Sequence, residues 1–334
     1  DDAAGLAISQ RFTTQIRGMD QAARNANDGI SLAQTAEGAL GSIGDNLQRI
    51  RELAVQSRNA TNSATDRAAL NEEAKALKAE IDRVSAQTNF NGVKLLDGSF
   101  ANQVFQVGAN QGETITISSI ANANSSALGS YSRATVTGTA ATDLTAIAAG
   151  GLTINGTSVG AIGVAASATE RASQVRDAVN SVSGTSGVYA VADTATTVSL
   201  VSTTGNIAVA GAGTGAQSGL AAATTNATTS TGFASLDIST VAGADAAMQS
   251  MDAALTAVST ARAQLGAIQN RFSSVVSNLS TTSENLSAAR SRIQDADFAK
   301  ESAALTRNQI LQQAGTAMLA QANQSSQNVL SLIR

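Results

Sequence analysis

The stretch Ile30–Ala54, ISLAQTAEGALGSIGDNLQRIRELA, carries an apolar residue at every third and then every fourth position. Spacings of three and four average to about 3.5 residues, which is the repeat of a coiled-coil seam. The stripe extends towards the N-terminus, and its positions are Ile16, Met19, Ala23, Ala26, Ile30, Ala33, Ala36, Leu40, Ile43, Leu47, Ile50 and Ala54. The pattern predicts one long amphipathic helix over residues 6–57.

A second stripe with the same spacing lies near the other end of the chain. Its positions are Met248, Met251, Leu255, Val258, Arg262, Leu265, Ile268, Phe272, Val275, Leu279, Thr282, Leu286, Ala289 and Ile293. Two long helices from opposite ends of one chain run antiparallel when they pack, so each can bury its stripe against the other. We expect the packing seam to include Ile43, Leu47, Ile50, Leu255, Leu265, Phe272 and Leu279.

The segment after the first stripe predicts a second helix and then short strands. The helix begins at residues 65–67, and its apolar face consists of Leu70, Ala74, Leu77, Ile81 and Val84. A turn signal follows at residues 89–92, and alternating patterns then predict strands at 93–96, 103–107 and 114–117. The fold class predicted from these patterns is α+β, with a long antiparallel helical bundle from both terminal regions and a β-rich middle.

Residues 121–240 differ in composition, because Ala, Thr, Ser and Gly dominate and charges are sparse. Ser167 and Glu170 have the spacing of a capping box in front of a helix at 169–182. Alternating stretches predict strands at 134–137, 152–155, 187–191 and 198–201. The glycines of 207–215 resemble a phosphate loop, but the following residues do not predict the helix that such a loop needs, so a flexible surface loop is favoured.

The composition excludes several chemistries. The chain has no Cys, no His, no Pro and no Trp, and its net charge is −4. Zinc and iron–sulfur ligation, Cys-His catalysis and disulfides therefore lack their residues. Asp295, Asp297 and Glu301 lack the spacing of a calcium loop and are interpreted as a solvated helix face. We expect no cofactor, no metal, no nucleic-acid partner, no membrane span and no enzymatic activity, and no secretory signal peptide opens the chain.

One polar face stands out on the first helix. Gln48, Arg49, Arg51 and Glu52 lie off the apolar seam. One interpretation is a solvated face on which Arg49–Glu52 or Glu52–Gln56 side-chain contacts stabilise the helix. The other is a surface that binds a partner.

With these residues the chain closely resembles bacterial flagellin, the subunit of the flagellar filament. The matching motifs are DDAAGLAIS at 1–9, residues 48–56, EIDRV at 80–84, TNFNGVKLL at 88–96, SRIQDADF at 291–298 and NVLSL at 328–332. The resemblance covers residues 1–120 and 240–334, while residues 152–156 and the helix at 169–182 are similar to a module inserted in some flagellins.

The resemblance implies four regions. Residues 1–120 would form the N-terminal half of a helical rod with short strands, and 121–240 a variable, surface-exposed, β-rich domain. Residues 241–297 would form the long C-terminal helix of the rod, and 298–334 a helix of the filament core.

The resemblance also implies partners and a location. The protein would assemble with its own copies for motility outside the bacterial cell, after export through the flagellar channel with an export chaperone and the filament cap. A host Toll-like receptor that senses flagellin would contact Gln48, Arg49, Glu52 and Leu53, with Glu73 as the supporting acid on the next helix.

Flagellins carry a further segment in front of the Asp1-Asp2-Ala3-Ala4-Gly5 motif, so we expect residues to have been removed here. Without that segment the helix at 298–334 would lose its partner, and the chain would stay monomeric. Two alternatives remain, a hook–filament junction protein and a surface adhesin whose middle domain binds carbohydrate.

Overall fold

A computed structural model describes residues 3–192, 194–203, 205–295 and 298–331. The prediction of long helices at both ends of the chain is confirmed. The helices of this part of the chain are α1 (Ala3–Arg58), α2 (Ala64–Gln87), α3 (Ala168–Ser181), α4 (Ser183–Ser186), α5 (Val241–Gln294) and α6 (Phe298–Ser331). A capping box starts α2, because the Ser63 hydroxyl accepts from the Asp66 amide and the Asp66 carboxylate accepts from the Ser63 amide.

The strands are short, and they pair antiparallel. They are β1 (Asn89–Phe90), β2 (Val93–Lys94), β3 (Ala101–Gln106), β4 (Thr114–Ser119), β5 (Tyr131–Thr137), β6 (Thr153–Ile154), β7 (Thr157–Ser158), β8 (Val188–Ala192), β9 (Val198–Ser202), β10 (Ile207–Ala210), β11 (Ala223–Thr225) and β12 (Thr228–Ser230). The sheet orders are β1-β2, β3-β4, β12-β5-β9-β8 and β11-β10-β6-β7.

Two of the hairpins turn on an Asn-Gly pair. Asn91 and Gly92 join β1 to β2 with φ of 49° and 82°, and Asn155 and Gly156 join β6 to β7 with φ of 51° and 78°. Positive φ at both central residues is the type I′ turn that suits a two-residue hairpin, and Asn followed by Gly tolerates it best.

Two local expectations need correction. The strand predicted at 93–96 ends at Lys94, because Leu95 and Leu96 are both fully buried and neighbouring strand residues would point to opposite faces. The capping box predicted before α3 is only half formed. The Ser167 hydroxyl accepts from the Glu170 amide, whereas the Glu170 carboxylate accepts from the Ala166 amide instead of the Ser167 amide.

The middle of the chain has its own hydrophobic core. Helix α3 packs on β8 and β9, and both four-stranded sheets contribute side chains. The fully buried members of this core are Leu152, Ile154, Val175, Val179, Val188, Leu200, Ile207 and Leu220. After β10 the chain runs through turns to β11 without forming a helix, so the glycines of 207–215 do not form a phosphate loop.

The chain divides into two compact units. The first contains the described residues within Asp1–Gly29, Val104–Ile115 and Arg271–Arg334, and the second contains those within Ile30–Gln103 and Thr116–Asn270. The middle core therefore belongs to the second unit, together with α2 and parts of α1 and α5.

In the second unit, α1 and α5 run antiparallel, as predicted. Glu37 accepts a hydrogen bond of 2.9 Å from Gln269, Arg51 lies 2.6 Å from Asp252, and Arg58 pairs with Asp245. The residue numbers rise along α1 while those of the partners fall along α5. The side chains buried between the helices of this unit include Leu40, Ile43, Leu47, Ile50, Leu53, Ala74, Ile81, Met251, Ala254, Val258 and Leu265.

In the first unit, the same two helices enclose a tight aromatic contact. The ring of Phe272 lies edge-on to that of Phe105, with centroids 5.5 Å apart and an interplanar angle of 81°. A Cβ atom placed on Gly29 would lie 2.7 Å from Cζ of Phe272, so the ring packs directly on the α1 backbone. The antiparallel register continues here, since Arg290 donates to Thr13 at 3.4 Å.

Candidate interaction surfaces

Arg49 connects α1 to α2 through a cluster of polar side chains. Its Nη1 donates to Glu52 Oε2 at 3.0 Å, and its Nη2 lies 2.8 Å from Glu73 Oε1. The hydrogen bond with Glu52, and then that with Glu73, raises the pKa of Arg49 above its ordinary value. We call Gln48, Arg49, Glu52 and Glu73 the outer-face cluster, because all of them are exposed. It presents a fixed arrangement of one cation and two carboxylates.

Leu53 does not belong to this surface, although the resemblance assigns it a receptor contact. Its side chain is fully buried. The reason is that α1 packs against α2 as well as α5, as the Arg49–Glu73 contact shows, so its apolar stripe is wider than the seam of a two-helix coiled coil. Leu53 is therefore left out of the outer-face cluster.

The predicted packing seam lies mostly inside the two units. Ile43, Leu47, Ile50, Leu265 and Phe272 are buried, whereas Leu255 and Leu279 are half-buried. Arg262, which interrupts the second stripe, is exposed and lies 3.8 Å from Glu37. A long charged side chain at a seam position reaches the edge of the interface and places its head in water.

Sequence reasoning missed the ion pairs between α1 and α5. Arg51 pairs with Asp252 and Arg58 with Asp245. The two arginines are seven residues apart, and so are the two aspartates. The two ion pairs are therefore one heptad apart along the helices. Matching i,i+7 charges of opposite sign beside the two apolar stripes were the signal that could have identified them.

These ion pairs line one side of a recess of about 450 Å³ between the helices and the sheet of β8 and β9. Tyr189 and Val201 line the opposite side. Because each arginine of the wall already has a carboxylate partner, the recess offers no net charge to an ionic ligand.

Helix α6 has an unusual surface for its length. Its large apolar side chains Leu305, Ile310, Leu311, Met318 and Leu319 are 58–74% exposed. These residues lie around the helix rather than on one face, and a helix that is apolar on several sides is typically buried by its partners.

Other kinds of site find little support in the part of the chain that the structure describes. Within those residues, no group of three potential ligands could hold a metal ion, and Asp297 of the acidic cluster lies outside them. None of the helices in the same residues combines the length and apolarity needed to cross a bilayer.

Long helices at both ends of the chain, a β-rich middle and exposed apolar side chains on α6 are typical of a structural, self-associating class of protein. Comparisons with known proteins agree. Family models match at both ends: the bacterial flagellin N-terminal helical region matches residues 1–101, and the bacterial flagellin C-terminal helical region matches residues 248–333.

Whole-chain relatives give the same result. Flagellin B of Vibrio cholerae is 43% identical over 342 residues, covering 100% of this chain and 89% of that protein. B-type flagellin of Pseudomonas aeruginosa is 39% identical over 450 residues, covering 100% of this chain and 91% of that protein. The crystal structure of flagellar hook associated protein-3 from Legionella pneumophila has a TM-score of 0.51 at 14% identity, covers 86% of this chain and 99% of that chain, and shows a shared fold.

The chain belongs to the bacterial flagellin family. It is a structural subunit of the flagellar filament, assembles with other flagellin subunits and is an extracellular component of the flagellum.

Proposed function

We propose that α6 is a surface through which this subunit joins its neighbours in the filament. The observation that carries the proposal is the exposure of Leu305, Ile310, Leu311, Met318 and Leu319. Burying one such side chain contributes about 1.5–3 kcal/mol, so several together supply a driving force for association.

The test is polymerisation of the full-length protein, followed by sedimentation and electron microscopy. Leu311→Ser and Met318→Ser should raise the concentration needed for filament growth, because each removes apolar surface from the contact. Val164→Ser is the matched control, since Val164 is 70% exposed but lies in the middle of the chain. Unchanged growth of both α6 variants would contradict the proposal, and so would an equal loss in the control.

The same assay addresses the junction-protein alternative. A filament subunit grows long polymers from seeds, whereas a junction protein caps an existing end and stops. We propose that the subunit reaches this end by export through the flagellar channel, with an export chaperone and under the filament cap. Growth of long filaments from purified protein and seeds alone would support the subunit role over the junction role.

We further propose that the outer-face cluster is the surface recognised by the host receptor that senses flagellin. The support is that Gln48, Arg49, Glu52 and Glu73 are exposed and that Arg49 is held by both carboxylates. An arginine offers a planar fork of donors on an apolar stem, which suits it to an interface hot spot. The competing role for these residues is packing between subunits in the filament.

A receptor-reporter assay with monomeric protein separates the two roles. Arg49→Ala should weaken activation, and Arg83→Ala should leave it unchanged. Arg83 is the matched control because it is similarly exposed on α2 and pairs with Glu80 in the same i,i+3 manner as Arg49 with Glu52. Activation that survives Arg49→Ala, combined with impaired polymerisation, would assign the cluster to filament packing instead.

A further inference from the structure

The sequence contains two Asn-Gly pairs, Asn91-Gly92 and Asn155-Gly156, and the structure surrounds them differently. Both pairs form the same type of turn, and a Cβ atom on either glycine would meet nothing within 4 Å. The local sequence and the backbone conformation are therefore matched. What differs is the environment of the asparagine side chain.

The Asn155 side chain is held by three hydrogen bonds to two segments of the middle of the chain. Its Nδ2 donates to the carbonyl oxygens of Ser186 and Asn206 at 2.9 and 3.1 Å, and its Oδ1 accepts from the Ala208 amide at 2.8 Å. Its backbone amide also donates to Ala208 O at 2.8 Å. The carboxamide cannot rotate unless these contacts break.

Asn91 is exposed at the tip of a hairpin that forms a two-stranded sheet by itself, whereas the Asn155 hairpin, with strands of the same length, belongs to a four-stranded sheet. Among the described residues, no hydrogen bond holds its side chain. Strands β1 and β2 contribute two residue pairs, Asn89 with Lys94 and Phe90 with Val93. A two-stranded hairpin of this length is marginal on its own and opens more easily than the elements around it.

We propose that Asn91 is a site of spontaneous deamidation and that Asn155 is protected from the same reaction. The amide nitrogen of Gly92 attacks the side-chain carbonyl carbon of Asn91 and forms a new C–N bond. The C–N bond to the side-chain nitrogen breaks, and this nitrogen takes up the proton of the Gly92 amide and leaves as ammonia. The product is a five-membered succinimide ring. Water then opens the ring at either carbonyl and gives aspartate or isoaspartate.

The product changes both charge and backbone at this turn. Aspartate adds a negative charge, and isoaspartate also inserts a methylene group into the main chain. The turn needs positive φ at both central residues in a loop of fixed length, so an isoaspartate does not fit it. Leu95 and Leu96 are fully buried directly after β2, and they should keep the rest of the chain in place when the hairpin opens.

The experiment is incubation of the full-length protein at mildly alkaline pH, with peptide mapping by mass spectrometry and isoaspartate detection by enzymatic methyl transfer. Asn91 should convert to a mixture of aspartate and isoaspartate. Asn155 should convert at least about tenfold more slowly, because opening its turn breaks several hydrogen bonds that each stabilise the closed state. A parallel sample in denaturant is the control, and there the two rates should converge.

Two results would overturn the proposal. One is conversion of Asn155 as fast as Asn91 in the folded protein. The other is suppression of Asn91 conversion by folding to the same extent as that of Asn155. Asn91→Gln checks the assignment, because a glutamine must form a larger ring and should abolish the signal at this peptide. Asn91→Asp introduces the charge without the methylene group and separates the two consequences in a thermal melt.

Discussion

Replacing Gly29 with alanine should destabilise the first unit, although the same replacement usually stabilises a helix. Alanine in place of glycine within a helix contributes about 1 kcal/mol of stability. The new methyl group, however, would lie 2.7, 2.9 and 3.0 Å from three ring carbons of Phe272. That ring is fully buried and packed edge-on against Phe105, so it cannot move away freely.

The expected magnitude follows from these opposing effects. Overpacking a well-filled core costs about 1–3 kcal/mol, which exceeds the gain of about 1 kcal/mol in helix propensity. Gly29→Ala should therefore lower stability by about 1 kcal/mol. Gly38→Ala on the same helix is the matched control, since nothing lies within 4 Å of its added methyl group. Gly38→Ala should therefore gain about 1 kcal/mol of stability from helix propensity.

Hydrogen exchange measured by mass spectrometry reports the two positions separately, because it resolves local opening along α1. Protection around residue 29 should fall in Gly29→Ala, and protection around residue 38 should rise in Gly38→Ala. Phe272→Leu should reverse the sign of the Gly29 effect, and the double-mutant cycle should give a coupling of about 1–3 kcal/mol. Equal stabilisation by both glycine replacements would refute the close packing of Phe272 on α1.

Three other outcomes are expected. Leu47→Ala should cost about 2–5 kcal/mol because the side chain is fully buried, whereas Val55→Ala on the exposed side of the same helix should change the melt little. Hydrogen bonds from the hydroxyl and the amide of Ser63 lower the pKa of Asp66. The stability that Asp66 contributes is therefore present above the ordinary aspartate pKa and is lost as the pH falls through the lowered pKa. Asp66→Asn should reduce this loss of stability at acid pH in a pH-stability profile. Arg51→Met should cost about 0.2–1 kcal/mol at low salt and less at high salt, because its partner Asp252 is exposed, and a urea titration at two salt concentrations checks this.

The long helices could be predicted from the sequence because their signal is local and repeated. Most heptads of α1 and α5 carry the same apolar spacing, so a single misplaced residue such as Arg262 does not hide the pattern. The start of α2 was also accessible, since the cap and its acid are only three residues apart.

The burial of Leu53 could not be predicted by the same reasoning. A coiled-coil seam assumes one partner, whereas α1 contacts α2 as well as α5, and Leu53 is buried. Strands β11 and β12 were missed for a related reason. Their residues are mostly small and exposed, so their order comes from pairing with β10 and β5 rather than from an alternating pattern.

The composition of the seam has a consequence for how the subunit is stabilised. Many buried positions of α1 are alanines, namely Ala22, Ala26, Ala33, Ala36 and Ala54. Each alanine buries little apolar area, so such a seam gains its stability from length and from a few large side chains between the small ones. A helical region built in this way tolerates substitutions at the alanine positions poorly, since close approach leaves no space for a larger group.

Helix α6 shows the complementary arrangement, because its large apolar side chains lie on the surface of the subunit. A helix gains most of its stability from packing rather than from propensity. If α6 is buried in the filament as proposed, the same contacts stabilise the helix and the assembly together, and the stability of this segment then depends on protein concentration.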